Sequence, residues 1–330
     1  MSRVVIVGAG FVGLSTARRL RKLIPDANIT VVDNKDRFVF VPRLIDALED
    51  AHYPSSSLRA DLRSIAQRDG FTFVQGKVTA VDRETRTLTY FPPTSTDQLV
   101  SLSYDCLVLS QGAQACFYGI PGAAEYAIPL KTEEDVHHTH DHVRSLLEKA
   151  QRASSDEVRK ELLSFVAVGA GPSGVEALCA LKQFVERLCD ASYTSLKPHL
   201  SWTIIQSGQQ ILPGFPLALV NGAKIALEKQ GIAVRTGVTV TAMKASEIDT
   251  TQGALPAGCV LWTAGIEAAT IPLKPAIHTD RGGYLPVDPY FVISPGVFSA
   301  GDAALYREGN VIIPKNAQTA MRMAKTLADN

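Results

Sequence analysis

The chain has 330 residues, 46% apolar and 20% charged, and its 33 basic and 33 acidic side chains cancel at neutral pH. That balance argues against a nucleic-acid partner, and five cysteines with no CxxC pair argue against a disulfide framework. No secretory leader and no run near the ~18 apolar residues of a membrane span is present, so a cytoplasmic protein of two or three domains is expected.

Val4–Val7 reads as a short buried strand, Phe11–Leu23 carries helical spacing, and Ile29–Val32 gives a second strand ending at Asp33. Between the first strand and the helix lies "VGAGFVG", with Gly8, Gly10 and Gly13. Leu58–Arg68 reads as a polar helix. Phe71–Val74, Lys77–Asp82, Thr87–Phe91 and Leu99–Ser103 alternate like antiparallel strands. Cys106–Leu109 is another buried strand, closed by "SQGAQ" with its Gly112. "GIPGAAEY" (119–126) has loop chemistry and marks a domain boundary, and 132–162 reads as charged helices.

Leu163–Val168 opens a second strand–turn–helix unit, "VAVGAGPSGVEALCAL", with Gly169, Gly171 and Gly174. Trp202–Ile205 is its second strand and ends at Gln206. Leu217–Lys229 is a further helix, Ile232–Val240 is extended, and "GCVLWTAGIE" is a buried strand and a turn containing Gly265. The strand Val297–Ala300 then runs into Gly301 and Asp302, and a helical segment follows from Lys315.

In a GxGxxG turn the first glycine permits the bend and the second admits a pyrophosphate to the helix N-terminus. The third lets helix and strand pack closely. Each copy here follows a strand and precedes a helix, which is the confirming context. Asp33, twenty residues after Gly13, is placed to accept from adenosine ribose hydroxyls. Two such turns imply two dinucleotides, and a flavin with a nicotinamide is the pair between which hydride passes. The fold class is therefore α/β, with two Rossmann-like domains.

"VVIVGAGFVGLSTA", "YGIPGAAEYAIPLKTEEDV", "FVAVGAGPSGVEALCAL", "LWTAGI" and "GVFSAGDAAL" together resemble the FAD-dependent pyridine nucleotide–disulfide oxidoreductases. Within that superfamily they look like the type II NAD(P)H:quinone oxidoreductases, the alternative NADH dehydrogenases. The resemblance implies an FAD domain over residues 1–115 and 290–330, with an NAD(P)H domain over 116–289 inserted into it. It places FAD on Gly8, Gly10, Gly13, Asp33, Gly112, Gly301 and Asp302. NAD(P)H falls to Gly169, Gly171, Gly174, Gln206 and Gly265. Ala317 and Gln318 match the family's Ala-Gln, where a helix N-terminus faces the flavin's pyrimidine edge. Arg322 and Met323 depart from the glutamines that commonly follow.

The resemblance also gives Glu176 a role where nicotinamide meets flavin; the alternative is a glutamate that complements the helix dipole. Gln206 stands where an NADH-specific site presents a carboxylate, so dual use of NADH and NADPH is expected, unless the strand is offset by a residue. The implied partner is a quinone or another small electron acceptor. A homodimer, and peripheral contact with the inner face of a membrane through a C-terminal tail that is not in this sequence, belong to the same implication. Two rivals stand beside it. One is a sulfide or thiol oxidoreductase using Cys116 and Cys259, and the other is a redox sensor without turnover. His138 and His142 sit four apart on a helix, but without further ligands they read as solvated residues rather than a metal site.

Overall fold

The computed structural model describes residues 1–93, 98–309 and 311–330. They form two compact units. The first comprises 1–39, 59–114 and 266–330, and the second 40–58 and 115–265.

The first unit is built on a six-stranded sheet in the order Val292–Ser294, Val297–Ser299, Cys106–Leu109, Arg3–Val7, Asn28–Asp33, Thr72–Gln75. All neighbours are parallel except the first pair. Val4 to Val7 are buried on both faces, as an unbroken apolar run in a central parallel strand should be. On one face the helix Phe11–Leu23 shares a core with the helix Ala317–Asp329: Val12, Leu14 and Ala17 meet Ala320, Met323, Ala324 and Leu327. On the other, Val5, Val7 and Leu109 pack with Val81, Leu88 and Tyr104. Those last three come from the antiparallel strands Lys77–Asp82 and Thr87–Phe91 and the turn after Val100–Ser103.

The second unit repeats the plan. Its five strands, Ala127–Pro129, Cys259–Trp262, Ser164–Val168, Ser201–Gln206 and Ile232–Thr236, are parallel throughout. The helix Glu133–Arg152 starts with a capping box between Thr132 and Asp135, and Pro172–Ser192 follows the second glycine turn. Within Ile232–Val240, the strand stops at Thr236 and a new antiparallel one starts at Val240.

Several expectations need correction. Phe71–Val74 is not antiparallel: the strand Thr72–Gln75 is the outer member of the parallel sheet, paired with Asn28–Asp33. Leu58–Arg68 is not one helix. Arg59–Asp61 pairs with Arg37–Val39, and the helix Leu62–Asp69 begins only after Asp61, whose carboxylate caps it by accepting from the Ser64 amide at 2.7 Å. "GIPGAAEY" lies inside the second unit, where Gly122 is left-handed (φ 75°) and a Cβ would stand 2.1 Å from the Met243 carbonyl oxygen. The chain returns to the first unit at Ile266 rather than at residue 290. Leu273–Lys274 is already hydrogen-bonded to Lys77–Asp82, and Leu285–Pro286 to Ala304–Leu305. Residues 40–58 leave the first unit because the helix Leu44–Glu49 packs on Pro172–Ser192.

Candidate functional site: two dinucleotide cradles

In the first turn, packing dictates two of the three glycines. Gly8 is left-handed (φ 97°), and a Cβ there would lie 2.2 Å from the Ser110 carbonyl oxygen. A Cβ on Gly13 would lie 1.9 Å from the Gly8 oxygen. Gly10 is different: nothing stands within 4 Å of its Cβ position, and it is the N-cap of Phe11–Leu23. Open space before unpaired helix amides is the room a pyrophosphate requires.

Asp33 closes this turn. One carboxylate oxygen accepts from the Ala9 amide at 2.6 Å and the other from the Lys35 amide at 2.8 Å. Burial pushes its pKa above the ordinary carboxylate value, against the pull of those amides. Asp33 lines a cleft of about 180 Å³ with Gly8, Asn34, Lys77, Val78 and Gln111. The Gln111 Oε1 atom is buried without a hydrogen-bond partner among the described residues, an acceptor that a ribose hydroxyl or an amine would satisfy. Gln111 and Lys77 escaped the sequence reading; the only trace of the first is its place in "SQGAQ".

The second turn has the same construction. Gly169 is left-handed (φ 104°), with a Cβ 2.7 Å from Ala264 backbone atoms. A Cβ on Gly174 would be 1.9 Å from the Gly169 oxygen, while Gly171 again faces open space. Pro172 begins the helix, where its missing amide costs nothing. Gln206, the last residue of its strand and level with Thr236, accepts through Oε1 from the Ala170 amide at 2.9 Å. It therefore holds the place of Asp33, and the strand is not offset.

Glu176 is exposed and is the fifth residue of the helix Pro172–Ser192. The dipole effect is concentrated in the first turn, so that alternative loses weight. Gly265 lies under Tyr118: a Cβ would meet its hydroxyl oxygen at 1.9 Å, and that hydroxyl donates to the Ala264 carbonyl at 3.2 Å.

In the first unit, Gly112 is left-handed (φ 75°) with open space at its Cβ position. Gly301 is left-handed too (φ 75°) and packs on Val12, which a Cβ would approach to 2.6 Å. The carboxylate of Asp302 accepts no hydrogen bond among the described residues. Its backbone oxygen accepts from Lys315 Nζ. Asn316 caps the helix Ala317–Asp329 by accepting from Thr319, so Ala317 and the exposed Gln318 present its first turn. Glu176 and Gln318 thus belong to different units.

The remaining candidates recede. Cys259 is buried in a central strand, and burial pushes its thiol up to about 12, which keeps it a neutral, unreactive group. His142 is half-buried and bonded to the Gly258 carbonyl at 2.7 Å, so it is packed rather than solvated. Among the described residues no cluster of three or more His, Cys, Asp or Glu is arranged to hold a metal.

Residues 2–324 match the family model described as pyridine nucleotide-disulphide oxidoreductase. The chain belongs to that family. An NADH dehydrogenase-like protein of Mycobacterium tuberculosis is 30% identical over 93% of this chain and 74% of its own length. A type II NADH:quinone oxidoreductase of the same organism is 28% identical over 99% of this chain and 71% of its own. The structure of NDH2 from Plasmodium falciparum in complex with NADH superposes with a TM-score of 0.87 at 19% identity, over 99% of this chain and 82% of that one. This member of the pyridine nucleotide-disulphide oxidoreductases is an enzyme with two Rossmann-like domains, and its cofactors are FAD and NAD(P)H. The open glycines, the carboxylates of Asp33 and Asp302 and the orphaned Gln111 oxygen fit FAD in the first unit. No helix among the described residues is long and apolar enough to cross a membrane.

Proposed function

We propose that this enzyme oxidises NAD(P)H and delivers the two electrons to a quinone, so that NAD(P)H, a proton and the quinone become NAD(P)⁺ and the quinol. The observation that carries the reading is the pair of like-built cradles closed by different residues, Asp33 on Ala9 and Gln206 on Ala170. A quinone acceptor is supported by the relatives, among them the Mycobacterium tuberculosis NADH:quinone oxidoreductase.

When bound, FAD would supply the two-electron redox chemistry that links NAD(P)H to the acceptor. The protein's own task is placement and electrostatics. Gly10 and the first turn of Phe11–Leu23 receive the FAD pyrophosphate, Asp33 the adenosine ribose, and Asp302 a ribityl hydroxyl, while Gly112 and Gly301 allow close backbone approach. Ala317 and Gln318 offer helix amides to the pyrimidine edge. Gly171 receives the pyrophosphate of NAD(P)H, Gln206 its ribose, and Gly265 the nicotinamide half. Glu176 orients the nicotinamide or relays a proton. In the same reading the enzyme works as a homodimer at the inner face of a membrane, where a lipophilic acceptor resides.

The test is direct. The purified protein should show a flavin spectrum, bleach with NADH or NADPH, and turn over a soluble quinone. A colourless protein, or a flavin that no nicotinamide reduces, would refute the reading.

A further inference from the structure

Lys315 lies two residues before the helix Ala317–Asp329 and is half-buried. Nζ donates to the carbonyl oxygens of Asp302 at 3.1 Å and Ala304 at 2.8 Å, and stands 3.9 Å from the centroid of the Tyr284 ring. The Tyr284 hydroxyl donates to the Ile266 carbonyl, which fixes the ring under the cation. Among the described residues no carboxylate is within ion-pair distance of Lys315, and Asp302 and Asp280 act on it only at longer range. Beside it a small cleft is lined by Gly301, Asp302, Asn316 and Thr319.

Burying an ammonium is costly, and the usual compensation is a carboxylate. Two carbonyls and an aromatic face solvate this one without neutralising it. Burial accordingly lowers its pKa from the ordinary lysine value. A clamp on the Gly301–Asp302 turn needs donors but no charge; a neutral side chain with an N–H group would serve. The charge is what has no ionic partner among the described residues. Under the reading given above, on which this inference rests, the turn holds the ribityl chain and the helix start faces the pyrimidine edge of the flavin. That edge gains negative charge when the ring takes up two electrons.

We propose that Lys315 is the residue that sets the flavin's reduction potential, its uncompensated cation stabilising the negative charge of the reduced ring. It is a positioning and electrostatic group, and its effect reaches the cofactor through space and through the turn it holds.

Lys315→Gln tests this, because the amide still donates to the two carbonyls while the charge is gone. In the FAD-loaded protein the equilibrium constant for two-electron reduction should fall about tenfold, ~30 mV for such a couple, read against reference dyes. Sulfite binding at flavin N5 should weaken by a similar factor, and Lys315→Arg should restore both. A Gln variant that retains FAD with wild-type potential and sulfite affinity overturns the proposal. So does an Arg variant as impaired as Gln, since the loss then follows shape and not charge. If Lys315→Gln holds FAD too weakly, Lys315→Arg against Lys315→Met at saturating FAD carries the comparison, with equal potentials refuting it. Wild-type protein without flavin would refute the underlying reading; a full flavin complement with an unmoved potential refutes only the role of Lys315.

Discussion

Gln206 accepts a hydrogen bond from the Ala170 amide at 2.9 Å, the bond that Asp33 makes to Ala9 at 2.6 Å. An amide therefore occupies, in the second unit, the position that a carboxylate takes in the first. It can still hydrogen-bond ribose hydroxyls, yet it lacks the charge that repels a 2′-phosphate. Gln206→Glu should keep the bond to Ala170, leave NADH oxidation nearly unchanged and lower kcat/KM for NADPH about tenfold or more, the scale of a like-charge clash. Steady-state kinetics with both cofactors check it. Strong rejection of NADPH by the wild-type enzyme would remove the premise.

The glycines of the first turn separate folding from binding. Gly13→Ala would drive a Cβ to 1.9 Å from the Gly8 oxygen, so expression and thermal midpoint should collapse. Gly10 has φ −80° and free space, and Gly10→Ala should fold normally but bind FAD at least ~10-fold more weakly by filling the pyrophosphate's approach. Calorimetry and flavin content on both variants give the answer; equal behaviour would contradict it.

Asp302→Ala removes a carboxylate that accepts no hydrogen bond among the described residues, so it should cost little stability. Its flavin occupancy, measured as the absorbance ratio after dialysis, should fall clearly below wild type. A full complement of FAD would count against the ribityl assignment.

Glu176→Ala is expected to slow flavin reduction or acceptor turnover about tenfold or more while FAD content stays normal, the usual scale for a lost proton-transfer or orienting group. Stopped-flow reduction by NADH and reoxidation by quinone resolve the two steps. Wild-type rates in both would leave Glu176 as a surface residue.

Asp69 is held by Arg68 first and by Arg18 of the first helix, and its pKa drops from 3.8 to about 2. A depressed carboxylate stabilises the fold above its unfolded pKa, and that contribution fades as pH falls through the folded value. Asp69→Asn should thus lower stability near pH 6 by at most ~1 kcal/mol, because the arginines are solvent-exposed. The gap from wild type should shrink between about pH 4 and pH 2. Urea melts across that range test the sign, and a gap that widens on acidification would reverse it.

What the sequence disclosed follows from how local each feature is. Gly8, Gly10, Gly13 and Asp33 lie within one strand–turn–helix–strand stretch, so their spacing is readable there even though Gly8 answers to Ser110 on a distant strand end. The second cradle was legible for the same reason, down to Gln206. The unit boundaries were not, because Leu273–Lys274 and Leu285–Pro286 are two-residue strands with no period to read. Thr72–Gln75 alternates like any half-buried strand, and alternation does not encode the direction of its partner. Lys315 depends on Tyr284 and Ala304, residues that only the folded chain brings to it.

The way the first unit is divided along the chain imposes an order on its making. The second unit has all five strands of its sheet once Trp262 has been added. The first still lacks Val297–Ser299 beside Cys106–Leu109, and Ala317–Asp329, which covers the apolar face of Phe11–Leu23. At ordinary synthesis rates that gap lasts roughly several seconds, with the first glycine turn made but its helix uncovered. The second glycine turn therefore has its complete sheet before the first, whose sequence precedes it. Until Ala317–Asp329 arrives, the apolar face of Phe11–Leu23 is open to misassembly, and a cofactor that needs the finished first unit can be captured only at the end of synthesis.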